Sequence, residues 1–295
     1  FYAGLIYERL REHLKAAEAY AVVPEGSELH AEARIRRASA LSLGGRHPRA
    51  LEAFKRLNAE EPDSAAVYPP WARALERAGS AADAERLLRR AVARWSLPEL
   101  YDALARNLQR QGKSEEAVSL LEAAVRARPD EVALRFSLAS ALDQARRPEP
   151  ALKQAREILK RDPDNPAALN FLGFILAETG RDLTEAERLV RRALELKPDN
   201  GAFLDSMGWI HFRRGEVQKA LDFLERASRL EPDEPVIIDH LGDAYHQANR
   251  PLDAERTWKR ALEALERADD PIEARGLRQV LERKLRSFST ESAGR

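Results

Sequence analysis

The sequence predicts an all-α solenoid of stacked helix pairs, and three observations carry that prediction. A small residue recurs on the second helix of each pair, at Ala16, Ala50, Ala84, Ala117, Ala151, Ala186, Ala220 and Ala254, with intervals of 34, 34, 33, 34, 35, 34 and 34 residues. Independent punctuation travels with it: Gly45, Gly79, Gly112, Gly180 and Gly215 fall at turns, and Pro62, Pro129, Pro163, Pro198 and Pro232 at exits. Within each period, apolar residues recur at three- and four-residue spacing, the repeat of one helical face. Such pairs bury their apolar faces against their neighbours, so an array of any length needs no closed globular core.

Taken in order, residues 1–30 read as a partial unit, with Gly4 and Tyr7 in the second half of a first helix and Ala16 and Tyr20 on the second. Phe1, Tyr2 and Leu5 make a poor polar cap, so the chain is expected to start inside a helix as a fragment of something longer. Seven full units follow at 31–64, 65–97, 98–131, 132–165, 166–200, 201–234 and 235–268. The fourth has Arg146 where the others have a turn glycine, with Pro148 and Pro150 nearby, which predicts a prolonged turn entering its second helix at Ala151. The fifth takes its extra residue in the turn GRDLTEA, where an insertion costs least. Residues 269–288 read as a capping helix, started by Asp270-Pro271 and carrying the stripe Leu277, Leu281, Leu285 and Phe288. Residues 289–295 are expected to be a disordered tail.

Composition excludes several function classes. The chain has 49 Lys and Arg against 49 Asp and Glu, so the positive field of a nucleic-acid binder is missing. No apolar run approaches the ~18 residues of a membrane-spanning helix. The absence of cysteine excludes disulfides and thiol chemistry and leaves the compartment open. No metalloprotease, phosphate-loop, nucleophile-elbow or dinucleotide motif is present, so the chain is predicted not to be an enzyme and to need no cofactor. Asp239, Asp243 and His246 share a helical face and form the one constellation to weigh as a metal site, but no fourth ligand is evident and the expectation is a polar wall. Charges on the second helices, such as Arg86, Arg89 and Arg90, read as a solvated face.

The unit at 201–234 resembles the tetratricopeptide repeat: Leu204, Gly208 and His211 on its first helix, then Ala220 and Leu224, then Pro232. The next unit repeats it with Leu241, Gly242, Tyr245, Ala254 and Trp258. The resemblance implies a right-handed superhelix that serves as an interaction scaffold, with partners held in a concave groove lined by the first helices. The groove face then carries Asn170 and Phe174, then Asp205, Trp209, Phe212 and Arg213, then Asp239, Asp243 and His246. Farther toward the N-terminus it carries Arg73, Arg77, Arg106 and Arg110, giving a basic N-terminal half and an acidic, aromatic C-terminal half. Trp209 is either a binding aromatic or filler against the next repeat, whereas Trp71 and Trp258 occupy positions the repeat buries. The Lys and Asn residues of chaperone-binding clamps are missing from the matching positions.

The segments LNFLGFILAETGRDLTEAERLVRRAL, LDSMGWIHFRRGEVQKAL and IDHLGDAYHQANRPLDAERTWKRAL are similar to the C-terminal repeats of periplasmic tetratricopeptide lipoproteins of bacteria, and the N-terminal forty residues to their middle region. Some of these tether and activate a carboxyl-terminal processing protease and bring it cell-wall hydrolases. The resemblance therefore implies a periplasmic adaptor whose membrane contact is a lipid anchor outside this sequence. A pilus or secretion assembly factor, or a cytosolic scaffold, is the alternative.

Overall fold

The computed structural model describes residues 1–267 and 274–293. Its chain divides into two compact units, residues 1–141 and 142–295. The first holds α1 (Tyr2–Arg9), α2 (His13–Ala21), α3 (His30–Leu43), α4 (His47–Glu60), a 3-10 turn at Ala65–Val67, α5 (Tyr68–Arg77), α6 (Ala81–Trp95), α7 (Pro98–Arg110) and α8 (Ser114–Ala127). Helix α9 (Val132–Gln144) carries the chain across the division. The second unit continues with α10 (Pro148–Arg161), α11 (Pro166–Glu178), α12 (Leu183–Leu196), α13 (Gly201–Arg213), α14 (Val217–Leu230), α15 (Pro235–Gln247), α16 (Pro251–Arg267) and α17 (Ala274–Ala293). Among the described residues there is no strand, and the architecture is an all-α superhelix of repeated helix pairs.

One turn chemistry joins the helices within each pair. The backbone N–H just past the turn donates to a carbonyl five residues back: Arg46 to Leu41, Ser80 to Leu75, Lys113 to Leu108, Arg147 to Leu142, Arg181 to Leu176, Glu216 to His211 and Arg250 to Tyr245, all at 2.8–2.9 Å. This closure needs one residue in the left-handed region. Glycine supplies it five times at φ of 67 to 79°, Arg146 (φ 59°) and Asn249 (φ 57°) supply it in two more, and Arg11 (φ 58°) supplies it between α1 and α2, where Glu12 donates to Tyr7 at 2.9 Å. The prolonged turn expected at Arg146 is therefore corrected. The turn has the ordinary length, and α10 begins at Pro148, because the first turn of a helix has no intrahelical use for a proline's missing N–H.

The eight marker alanines are fully buried. They sit where paired helices cross closely: a Cβ on Gly242 would lie 2.4 Å from the Trp258 ring, and one on Gly208 2.6 Å from Leu224. In the second unit, Asn165, Asp182 and Asn200 cap their helices by accepting from Ala168, Glu185 and Phe203 backbone N–H groups. Helix α17 lays Leu281, with Leu277, Leu285 and Phe288 beside it, against Ile238, Trp258, Ala261 and Leu265. It runs through residues 289–293, which the sequence predicted to be tail. Ser287 returns its hydroxyl to the Arg283 and Lys284 carbonyls, and neither glycine nor proline occurs between Ser287 and residue 293. The start signal Asp270-Pro271 lies outside the described residues.

Candidate functional site

In the second unit the first helices of successive pairs, α11, α13 and α15, present one face, and the predicted residues on it divide into a closed end and an open end. At the closed end, Asp239 and Asp243 lie one turn apart on α15, with Asp239 buried. Lys284 reaches across from α17 and donates to both, at 2.7 Å to Asp239 and 2.6 Å to Asp243. Its ammonium also lies 5.8 Å from the centre of the Trp258 ring. Burial is the main cause that raises the Asp239 pKa above the usual carboxylate range; Asp243 adds to it and Lys284 opposes it. The acidic half of the groove expected from the sequence is corrected at 239 and 243: their charge is answered from within the chain. His246 stays apart from them, exposed, with its ring 5.6 Å from that of Trp258.

One pair further along, Asp205 is buried and accepts from His240 Nδ1 at 2.9 Å. Burial depresses the His240 pKa, but Asp205, with Asp239 and Asp243 behind it, outweighs that and raises it above its ordinary value. Asp205 is thus a structural partner, not a free groove carboxylate. The His240 ring is stacked on Trp209 at 4.2 Å and 19°, and Trp209 in turn on Phe212 at 4.7 Å and 12°. Of the two readings of Trp209, packing against the next repeat is what the contacts display. Its ring is nevertheless only half-buried, and its Nε1 donates to the Glu178 carboxylate. Arg213 is exposed and donates to the Glu178 carbonyl at 2.8 Å.

The open end lies beside α11. Asp143, Arg146, Pro148, Phe174, Ile175 and Glu178 line a cleft of about 550 Å³. Phe174 is half-buried at its edge, 6.4 Å from the His240 ring. Asn170, one turn earlier on α11, has its Oδ1 enclosed and without a hydrogen-bond partner among the described residues. Burial raises the Asp143 pKa, Glu178 adds to the effect and Arg146 partly offsets it. Sequence reasoning missed Glu178, His240 and Lys284. His240 lies 35 residues after Asp205, one position off the repeat register, and Lys284 flanks the apolar stripe of the capping helix.

In the first unit, Arg73 and Arg106 are exposed along a smaller cleft of about 290 Å³. The expected basic character is corrected here too. Arg106 pairs with Asp102 at 2.9 Å, Arg110 is buried against Glu76 at 3.0 Å, and Glu99 lines the same space. Arg77 also has a partner. On the second helices Arg89 pairs with Glu85 and Glu116, as a solvated charged face should.

Among known proteins, residues 103–166, 141–201 and 175–235 match the family model described as tetratricopeptide repeat. The TPR repeat-containing protein PA4667 of Pseudomonas aeruginosa is 26% identical over 243 residues, covering 82% of this chain and 35% of that protein. The protein O-mannosyl-transferase Tmtc3 of Drosophila melanogaster is 28% identical over 127 residues, covering 43% of this chain and 14% of that protein. The chain thus spans about a third or less of the curated relatives it matches. The fold is similar to that of a chain in the crystal structure of the APC/C hetero-tetramer Cut9-Hcn1, with a TM-score of 0.59 at 16% identity over 85% of this chain and 49% of that one. It is also similar to a thermophilic TPR protein of Thermus thermophilus, with a TM-score of 0.53 at 22% identity over 63% of this chain and 98% of that one. At these identities the likeness shows the fold alone, a superhelix of repeated helix pairs.

Proposed function

Starting from the tetratricopeptide repeat family that the matches support, we propose that this chain is a non-catalytic adaptor that holds a protein partner on the first-helix face of its second unit. The observation that carries the reading is the juxtaposition of an aromatic ledge, Phe174, His240, Trp209 and Phe212, with a cleft whose carboxylates are incompletely paired. Aromatic rings beside a concave polar site have the composition of a binding hot spot. The acidic residues farther along the face are spent on Lys284 and His240, so docking centres on Phe174 rather than on Asp239 and His246.

The finer form of the proposal is a periplasmic adaptor, anchored by lipid outside this sequence, that tethers and activates a carboxyl-terminal processing protease and presents cell-wall hydrolases to it. Its support is the resemblance of residues 169–262 to the repeats of such lipoproteins, together with the similarity to a Pseudomonas protein along most of this chain. A pilus or secretion assembly factor is the runner-up within the same class.

The test is capture from bacterial envelope extract with wild type and Phe174→Ala, followed by mass spectrometry and a peptidase assay of any captured protease with and without the chain. A processing protease held by wild type, lost with Phe174→Ala and stimulated on binding supports the adaptor. Equal recovery by both proteins removes the site from this face, and recovery of pilus or secretion components promotes the runner-up. Asp205 is unsuited to such a test, because its substitution breaks a buried pair and confounds binding with folding.

A further inference from the structure

We propose that the cleft beside Phe174 is a pocket for a single lysine or arginine side chain of the docked protein, received by the carboxylates of Asp143 and Glu178 with its stem laid on the Phe174 ring. The inference rests on the docking role proposed above and adds the chemistry of what enters the cleft.

Charge complementarity is the first argument. The Asp143 carboxylate is half-buried, yet among the described residues it receives no hydrogen bond and forms no ion pair. Glu178 gives one oxygen to Trp209 Nε1 and has no partner for the other among the described residues. Arg146 lies close enough to ease Asp143 but makes no ion pair among the described residues, and its side chain is exposed. With Arg146 unpaired and Arg213 held on the Glu178 carbonyl, no guanidinium among the described residues bridges the half-buried Asp143 carboxylate and the exposed Glu178 carboxylate, and a donor cation that does so forms the strongest class of hydrogen bond.

The second argument is a precedent inside the molecule. Lys284 sits on two carboxylates, Asp239 and Asp243, with its ammonium near the face of Trp258. Two carboxylates and an aromatic ring are the groups the open cleft offers, with Phe174 as the ring. At one end of the face the chain supplies its own lysine. At the other end the position is open.

Gln144 and Thr179 add to the polar lining, and the three apolar residues favour a side chain with a hydrocarbon stem over a small inorganic cation. Pro148, Ile175 and Phe174 supply no ligand oxygen, but they cover a methylene chain well.

The experiment is an NMR titration of the isotope-labelled chain with two blocked hexapeptides that differ only at the centre, lysine in one and norleucine in the other. The lysine peptide is expected to bind about tenfold more tightly, the worth of hydrogen bonds to a charged group. Its shifts should centre on residues 143–146 and 174–178. Asp143→Asn with Glu178→Gln should remove the difference between the peptides, and Arg146→Asn, which keeps a residue suited to the left-handed turn, should widen it. Equal affinity for the two peptides, a lysine preference that survives the double substitution, or no shifts up to millimolar peptide each overturns the pocket. Equal affinity together with capture that still depends on Phe174 leaves the docking role standing without the cation. Capture that ignores Phe174 takes away the docking role itself.

Discussion

Replacing Lys284 with methionine keeps the hydrocarbon stem over Trp258 and removes only the ammonium that holds Asp239 and Asp243. The side chains of the three residues are 23%, 9% and 19% exposed, so water replaces little of the lost interaction. Removing one partner of a buried pair costs about 3–5 kcal/mol. The protein has an escape, which is to protonate Asp239. Holding that proton at pH 7 on a group with an unfolded pKa near 3.9 costs about 4 kcal/mol, and at pH 5 about 1.5 kcal/mol. The sign follows: a carboxyl whose folded pKa is raised favours the folded state at low pH and loses that advantage as pH rises through the folded value. The variant should therefore be destabilised by about 2–4 kcal/mol at pH 7 and by about half that at pH 5. Hydrogen exchange over α15 and α17, read at both pH values, isolates this end of the second unit from the rest of the chain. Asp239→Asn added to the variant should recover most of the loss. A loss below about 0.5 kcal/mol at pH 7, or one that does not change with pH, refutes the assigned role of Lys284.

Three further outcomes are expected. His240 titrates above its ordinary value, so its pairing stabilises the fold below pH ~6.5 and is lost as pH rises through the folded pKa; Asp205→Asn should lower the imidazole pKa seen by NMR, and an unchanged titration contradicts the pairing. Gly242→Ala should destabilise the α15–α16 crossing by about 1–3 kcal/mol in urea melts, since its Cβ meets Trp258 at 2.4 Å and the indole is locked in the core; a neutral result means the crossing yields. Arg146→Gly should stabilise by about 1 kcal/mol, because it relieves a left-handed residue without a side-chain ion pair to lose, and a melting midpoint that falls instead means that the arginine holds the turn.

The repeat was legible in the sequence because its determinants are local. A close crossing needs a small residue, a left-handed turn residue usually means glycine, and the helix start tolerates proline. Where a non-glycine took the left-handed position, at Arg146, the same logic suggested an altered turn, although the hydrogen bond across it was kept. The face of the site was legible to the level of which residues share it. Their state of pairing was not. Asp239 meets its lysine 45 residues away, on a helix whose sequence advertised only an apolar stripe, and Asp205 meets a histidine one position off the repeat register. Periodicity places a residue on a face, whereas its free charge depends on which side chain of a neighbouring element reaches it.

Trp209 connects the two ends of the second unit's face and can be dissected by two substitutions. Its ring stacks on His240 toward the closed end, and its Nε1 restrains Glu178 at the open one. Trp209→Phe retains a ring to stack and drops the hydrogen bond, so it should cost no more than about 1 kcal/mol while freeing a Glu178 oxygen for an incoming cation. Trp209→Ala removes both. It also uncovers the His240–Asp205 pair, so it should cost about 2–3 kcal/mol, below the range for a fully buried tryptophan because the ring is half-exposed. The phenylalanine variant should then bind the lysine peptide at least as well as wild type, and the alanine variant should bind it poorly only in proportion to its loss of structure near His240. If the phenylalanine variant binds the lysine peptide worse than wild type although its melting is unchanged, Glu178 needs the indole to aim it. Trp209 would then be part of the pocket rather than the strut between the closed and open ends.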